Sequence, residues 1–108
     1  MTQNSDSDVQ VRQADRQFEI TVDGKLAGKT QFFEQDGKRV FFHTEVGDEY
    51  GGRGLAGILV KDALDTTRSE GLRVVPVCPY VAAYVKKHDD EYGDLVDAPT
   101  PEILQKLR

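Results

Sequence analysis

The chain has 108 residues, of which 38% are hydrophobic and 31% are charged, with a formal net charge of −5 and a pI near 4.9. This length suits one globular domain with a real hydrophobic core and does not suffice for two. The negative charge argues against sequence-independent binding to nucleic acid or to anionic lipid, which both require a basic surface. A cationic or amine-bearing partner is compatible with it, although solubility is the commoner use of such a charge.

The N-terminus and the cysteine content indicate the expected compartment. The sequence has no run near the ~20 apolar residues that a membrane span needs, and MTQNSDSD lacks the basic and apolar parts of a signal peptide. A single cysteine excludes an internal disulfide and a thiolate-rich zinc site. We expect a cytoplasmic protein without a metal, with a flexible tail at residues 1–8 and one domain at residues 9–108. Nothing in the sequence indicates the oligomeric state.

Residues 17–46 have the pattern of three antiparallel strands. The segment QFEITV alternates Phe18, Ile20 and Val22 on one side, DGK forms a hairpin turn, and LAGKTQFFEQ continues as a second strand. A further turn, QDGKR, leads into the third strand, VFFHTEV. These strands are therefore predicted to form a meander.

The second half of the chain combines helices with one strand. Apolar residues at helical spacing predict a helix over residues 55–70. The run LRVVPVC at 72–78 predicts a strand, and residues 79–87 predict a second helix that begins with proline. HDDEYGD is expected to be a loop, and Thr100 is expected to cap a short terminal helix. The order β-β-β-α-β-α-α predicts an α+β fold, a mainly antiparallel twisted sheet with helices packed on it.

A glycine-rich stretch, EYGGRGLAG, lies between the third strand and the first helix. Residues 52–57 match G-x-G-x-x-G, a pattern that brings backbone N–H groups close to phosphate oxygens. A dinucleotide-binding unit also needs an acidic residue at the end of the next strand, where this chain has Cys78 and Pro79. A P-loop needs Lys and Ser or Thr after its last glycine, where this chain has Ile58. Two interpretations of this stretch remain: a phosphate-binding loop of another kind, and a loop that only reverses the chain direction.

The segment YGGRGLAGILVKDAL, following FFHTEV, resembles the acetyl-CoA-binding segment of the GNAT acyltransferases, whose pattern is Gln/Arg-x-x-Gly-x-Gly/Ala at the start of a helix. Gly54 and Ala56 match the last two fixed positions, and Arg53 matches a commonly basic one. Gly51 stands where the family has Gln or Arg, which removes one side-chain contact to the pyrophosphate and leaves the backbone donors. The resemblance implies acetyl-CoA, or coenzyme A, as cofactor. The cofactor-binding residues that it implies are Val46, Gly51, Gly52, Arg53, Gly54, Leu55, Ala56, Tyr80 and Lys87.

The resemblance covers roughly residues 17–92 and is to a small single-domain branch of GNAT-like acetyltransferases with a cysteine in the site. It implies that the strand before the glycine loop and the strand after the first helix splay apart, so that the pantetheine arm enters the gap between them. A proline in the second of these strands, Pro76, is compatible with a splayed neighbour because it cannot complete a ladder of hydrogen bonds.

Cys78 is the candidate nucleophile for acyl transfer. It ends the predicted strand and directly precedes a helix, where the pKa of a thiol tends to fall. On composition alone, a buried cysteine that serves as a small hydrophobic residue is the commoner case. The resemblance reverses that preference.

His43 is the candidate base, with Glu45 orienting it. Regular alternation in FFHTEV puts Phe41, His43 and Glu45 on one face and Thr44 on the other. If the first face looks toward the gap, His43 serves as base for Cys78 or for an incoming amine. The alternative is that His43 and Glu45 are surface residues of a half-exposed sheet.

Tyr84 is the fourth candidate catalytic residue. The resemblance implies that a tyrosine in this region protonates the departing coenzyme A sulfur, whereas core packing is the commoner role of a helical tyrosine. His88, beside Lys87 in a predicted loop, is expected to be a solvated side chain.

Together these patterns predict an acetyl-CoA-dependent N-acetyltransferase that acts on a primary amine, either by direct attack or through acetyl-Cys78. The alternative is a non-catalytic acyl-CoA-binding or interaction module of the same fold. The acidic composition is equally compatible with lysine side chains, polyamines and aminoglycoside-like amines as acceptors.

Overall fold

The structure, a computed structural model, describes residues 8–47 and 54–107. These residues form one five-stranded sheet and several helices. The strands are β1 (Val9–Gln13), β2 (Gln17–Val22), β3 (Lys25–Gln35), β4 (Lys38–Val46) and β5 (Arg73–Pro76). The helices are α1 (Leu55–Ser69), α2 (Pro79–Lys87), α3 (Asp89–Tyr92), a 3₁₀ turn (Gly93–Leu95) and α4 (Pro101–Lys106).

The strands lie in chain order across the sheet. β1 to β4 pair antiparallel, and β5 pairs parallel with β4 after the crossover through α1. The predicted α+β class, with a mainly antiparallel sheet and helices packed on it, is confirmed. None of the helices in the two described ranges is both long and apolar enough to cross a membrane.

Two elements differ from the prediction. β1 was not predicted, because only Val9 and Val11 alternate in a short polar segment. Pairing with β2, in which Val9 lies opposite Val22, forms the strand. The segment HDDEYGD contains α3 and the 3₁₀ turn rather than a loop. The predicted tail at residues 1–8 falls almost wholly outside the described residues and stays a prediction.

The main core lies between the sheet and the helices α1 and α2. It joins Phe18, Phe32 and Phe41 of the sheet to Leu59 of α1 and Val81 of α2, all of them at most 3% exposed. A smaller cluster on the opposite face joins Val40 and Val75 to Ile103 of α4. The sheet is therefore covered by helices on both faces at this end, where β4 pairs with β5.

A β-bulge in β4 decides which of its side chains face this core. Gln31 of β3 lies opposite His43, whereas the next residue, Phe32, lies opposite Phe41, so Phe42 has no position of its own in the register. The extra residue reverses the alternation of the strand beyond it. The predicted grouping of Phe41 with His43 on one face is therefore wrong.

Candidate functional site

A gap opens between β4 and β5 where their pairing ends. The last parallel pair joins Phe41 to Pro76, while β4 itself continues to Val46. The carbonyl oxygen of Phe41 accepts hydrogen bonds from the backbone N–H groups of Val77, at 3.0 Å, and Cys78, at 2.8 Å. The end of β5 is thus fixed to one point on β4, and the rest of β4 runs on beside the gap with Val46, a candidate cofactor contact, as its last residue.

Cys78 lies at the gap, immediately before α2. It is the residue that caps the helix, with Pro79 as the first helical residue, as the sequence predicted. Its side chain is buried, with 4% of its surface exposed, and it belongs to the main core. Cys78 therefore combines a position at a helix start, which favours a reactive thiol, with the burial expected of a small hydrophobic residue.

Thr44 is the residue of β4 that meets Cys78. The Cys78 thiol donates to Thr44 Oγ1 at 3.3 Å. Thr44 Oγ1 also lies 2.8 Å from Oγ1 of Thr30, which is fully buried on β3. Sequence reasoning missed Thr44 because regular alternation places it on the opposite face from Phe41. Only the bulge at Phe42 brings it to the core side.

His43 and Glu45 lie on the other face of β4. Nε2 of His43 is 3.0 Å from Oε2 of Glu45, and both side chains are at least half exposed. The Lys29 ammonium lies 3.8 Å from the same Glu45 oxygen. Since Thr44 contacts Cys78 from the opposite face, the predicted role of His43 as base for Cys78 is wrong. The pairing of His43 with Glu45 is found, and a role toward an incoming amine stays a prediction.

The start of α1 presents backbone donors that suit an anion. Gly54 precedes the helix with φ of 72°, a left-handed conformation that favours glycine, and the first helical bond runs from Ile58 to Gly54. The N–H groups of Leu55, Ala56 and Gly57 therefore have no intrahelical partner. No side-chain cap is found among the described residues, and the first turn holds no acidic side chain. A phosphate fits this combination of donors and helix dipole. The candidates Gly51, Gly52 and Arg53 lie outside the described residues.

A groove of about 310 Å³ runs between the first turn of α1 and α2. Gly57 lines it on the α1 side, and a Cβ atom at this position would meet no atom within 4 Å. The α2 side is built from Tyr80, Ala83, Tyr84, Lys87 and His88. The structure thus brings the predicted residues Tyr80, Tyr84 and Lys87 together next to the free helix start.

Tyr84 and His88 form an aromatic pair in this groove. Their ring centroids are 4.4 Å apart, and His88, which was expected to be solvated, is half-buried. Burial raises the pKa of Tyr84 above its ordinary value, and its hydroxyl is protonated at neutral pH, as that of an unperturbed tyrosine is. A protonated phenol can donate a hydrogen bond or a proton, as the predicted role of Tyr84 requires.

Comparison with known proteins identifies the family. The family model described as GCN5-related N-acetyl-transferase matches residues 17–95. The chain belongs to this family. Protein NATD1 of Mus musculus is 36% identical over 95 residues, which cover 86% of this chain and 77% of the mouse protein. Protein NATD1 of Homo sapiens has the same identity, and the alignment covers 75% of its length.

Solved structures agree on the fold. A GCN5-like protein of Staphylococcus aureus, solved by NMR, matches with a TM-score of 0.62 at 23% identity, over 85% of this chain and 91% of that one. The ribosomal-protein-S18-alanine N-acetyltransferase of Escherichia coli matches with a TM-score of 0.52 at 23% identity, over 57% of this chain and 42% of that one. The expected likeness to small, single-domain GNAT-like proteins is confirmed.

Proposed function

We propose that this GCN5-related N-acetyltransferase domain binds acetyl-CoA and transfers the acetyl group to a primary amine. The observation that carries the proposal is that three features of the structure follow one another in space. The free start of α1 lies beside the groove that contains Tyr80 and Lys87, and the same helix α2 begins at Cys78 in the gap between β4 and β5. A ligand with phosphates at one end and a thioester at the other fits this order of features.

The phosphate end is supported by backbone chemistry. The N–H groups of Leu55 and Ala56 and the positive end of α1 bind the pyrophosphate, and Lys87 supplies a cation to the nucleotide part. Leu55 contributes only its N–H group, because its side chain is buried with 3% exposed. Gly57 leaves the groove open for the ligand to pass.

Acetyl-CoA supplies an activated acyl group, whose carbon–sulfur bond breaks as a carbon–nitrogen bond to the amine forms. His43, paired with Glu45, takes the proton that the amine loses on the exposed face of β4. Tyr84, which lines the groove in its protonated form, provides the proton that the sulfur gains. The acidic balance of the chain favours a cationic amine such as a polyamine or a lysine side chain as the acceptor.

A second route runs through Cys78. Cys78 lies at the start of α2 beside the gap, where its sulfur would take the acetyl group first, as the bond to the coenzyme A sulfur breaks, and then pass it to the amine. Cys78 is buried in the main core, and its side-chain hydrogen-bond partner among the described residues is the Thr44 hydroxyl rather than a base. Direct attack by the amine is therefore the route that the contacts support better.

One experiment tests the cofactor and separates the routes. Labelled protein is titrated with coenzyme A and with acetyl-CoA while the amide shifts are followed, and the protein is then weighed intact after incubation with acetyl-CoA. We expect shifts centred on Gly54, Ala56, Val46 and Cys78. An added acetyl mass supports the Cys78 route, whereas an unmodified protein that acetylates spermidine or a lysine peptide supports direct attack. Binding without transfer to any amine would favour a non-catalytic acyl-CoA-binding module, and silence at these amides would refute the proposal.

A further inference from the structure

The hydroxyl group of Thr44 has a hydrogen that its neighbours leave unused. Thr44 lies on β4 beyond the last pair with β5, on the face that carries Cys78, and it is partly exposed at the gap. Among residues 8–47 and 54–107, its hydroxyl has two partners, Oγ1 of Thr30 and the thiol of Cys78. The use of its hydrogen therefore depends on which groups donate in these two bonds.

Both bonds use Thr44 as an acceptor. Thr30 is fully buried, and in the described part of the chain Thr44 Oγ1 is the one acceptor within reach of its hydroxyl. If Thr44 donated to Thr30, the hydrogen of Thr30 would stay buried without a partner, which is unfavourable. Thr30 therefore donates to Thr44, and the Cys78 thiol donates to the same oxygen. A hydroxyl has two lone pairs and one hydrogen, so the Thr44 hydrogen remains free.

Two backbone donors on the β5 side of the gap are already bound. The N–H groups of Val77 and Cys78, on the β5 side of the gap, both donate to the carbonyl oxygen of Phe41. A ligand that enters the gap from this side consequently meets the Thr44 hydroxyl as an available donor. The acceptor that it suits is an uncharged carbonyl oxygen, because its two partners, Thr30 and Cys78, are buried and bring no cationic side chain to the site.

We propose that Thr44 is a further catalytic residue, whose hydroxyl donates a hydrogen bond to the carbonyl oxygen of the acyl thioester. This inference rests on the proposed function, because it assigns Thr44 to the acyl group of the same ligand. As negative charge develops on that oxygen during transfer, the bond strengthens and stabilises the transition state. The role is the same whether an amine or Cys78 attacks, since either attack places charge on the carbonyl oxygen.

The test uses the ketone analogue of acetyl-CoA, in which a methylene group separates the sulfur from a ¹³C-labelled carbonyl, so that no acyl transfer occurs. We compare its affinity with that of coenzyme A, which has no carbonyl at this position, and record its carbonyl stretching frequency by infrared difference spectroscopy. For wild type we expect a frequency below that in water. Thr44→Val should lower affinity for the analogue about five- to tenfold and raise the frequency, while affinity for coenzyme A stays within about twofold.

Two variants serve as controls. Thr44→Ser keeps the hydroxyl and should retain both the affinity and the frequency. Thr30→Val removes the neighbouring buried hydroxyl without removing the free hydrogen, so the analogue should bind within about twofold of wild type. A loss in Thr30→Val equal to that in Thr44→Val would show a merely structural role and overturn the proposal, as would an unshifted frequency in the wild-type complex. If coenzyme A does not bind to the wild-type protein, the proposed function fails. If coenzyme A binds normally and Thr44→Val has the same affinity for the analogue as wild type, only the role of Thr44 is overturned.

Discussion

The backbone N–H of Cys78 donates to the carbonyl oxygen of Phe41 across 2.8 Å, which fixes the thiol-bearing residue to the last paired point of β4. The bond is made by the main chain, so a change of the side chain at position 78 leaves it in place. Variants of Cys78 therefore test the chemistry of the thiol more than the geometry of the gap.

Cys78→Ala should abolish any acetyl adduct on the protein while leaving coenzyme A affinity within about twofold. The side chain is small and buried, so we expect its loss to lower the free energy of unfolding by only about 1 kcal/mol. Intact-mass spectrometry after incubation with acetyl-CoA, together with urea unfolding, measures both effects. An acetyl mass that persists in Cys78→Ala would exclude Cys78 as the acceptor.

His43→Ala should slow transfer to a free amine by about 100-fold, because a positioned base contributes on that order. Glu45→Gln should slow it less, since it removes only the partner of His43. Neither change should affect an adduct on Cys78, which lies on the opposite face of β4 from both residues. Initial rates with spermidine measure the effect, and Gln31→Ala, opposite His43 on the same face, is the matched control. Equal rates in wild type and His43→Ala would show that His43 is not the base for the amine.

Gly57→Leu should weaken coenzyme A binding by at least about tenfold, because the new side chain fills the groove between α1 and α2. Gly57→Ala should instead raise the free energy of unfolding by about 0.5–1 kcal/mol, since alanine favours the helix and meets no neighbour. Calorimetric titration and urea unfolding of both variants separate the two effects. Unchanged affinity in Gly57→Leu would show that the ligand does not pass through this groove.

Arg39→Met should lower the free energy of unfolding by about 1–2 kcal/mol. The Arg39 guanidinium is buried, contacts Glu34 and Glu70, and lies 4.5 Å from the centre of the Phe32 ring. The loss is limited because Arg39 Nε is buried without a partner among the described residues, a cost that methionine removes. Urea unfolding measures it, and Arg12→Met, which breaks the exposed pair with Glu19, should change stability by less than about 0.5 kcal/mol.

We predict that the contribution of Tyr92 to the free energy of unfolding is lost at high pH. Burial and a 2.7 Å hydrogen bond to Asp65 raise the pKa of Tyr92 to about 12. Because the folded pKa exceeds the unfolded one, this contribution is complete below about pH 10 and is lost as pH rises toward 12. Tyr92→Phe should be about 1 kcal/mol less stable than wild type at pH 8, and the difference should shrink above pH 10.

Urea unfolding at pH 8, 10 and 11 measures the Tyr92 effect. The exposed Tyr80, with 43% of its surface accessible, provides the control variant Tyr80→Phe, which should follow wild type across the range. A difference between Tyr92→Phe and wild type that stays constant from pH 8 to 11 would show that the tyrosine does not titrate as its surroundings imply.

Local patterns were sufficient to predict much of the fold. Pro79 started a helix and Thr100 capped one as predicted, because proline at a first helical position and a threonine cap act within a single turn. β1 could not be predicted in this way, since a short strand with two valines depends on pairing with β2. Asp89–Tyr92 is likewise a turn of helix held by tertiary contacts, among them the bond of Tyr92 to Asp65 of α1.

The same distinction applies to the candidate site, in which local patterns position some residues and tertiary contacts position others. The positions of Gly54, Tyr80 and Lys87 follow from helix starts and helical spacing, which the sequence contains. The identity of the residue that contacts Cys78 does not follow from the local sequence, because it depends on the register between β3 and β4. A regular strand directs His43 to the core face, and the actual strand directs Thr44 there.

The bulge at Phe42 therefore decides which side chain of β4 lies beside the thiol in the gap. Without the bulge, regular alternation from Phe41 would put the imidazole of His43, rather than the hydroxyl of Thr44, beside the thiol, with no change in the residues themselves. A shift of the outer part of β4 by one residue along β3, with Phe42 paired in regular alternation, would place His43 where it can take a proton from Cys78. Gain or loss of this bulge, rather than a substitution in the site, is thus a short route by which such a domain can pass between a thiol that only packs and a thiol that reacts.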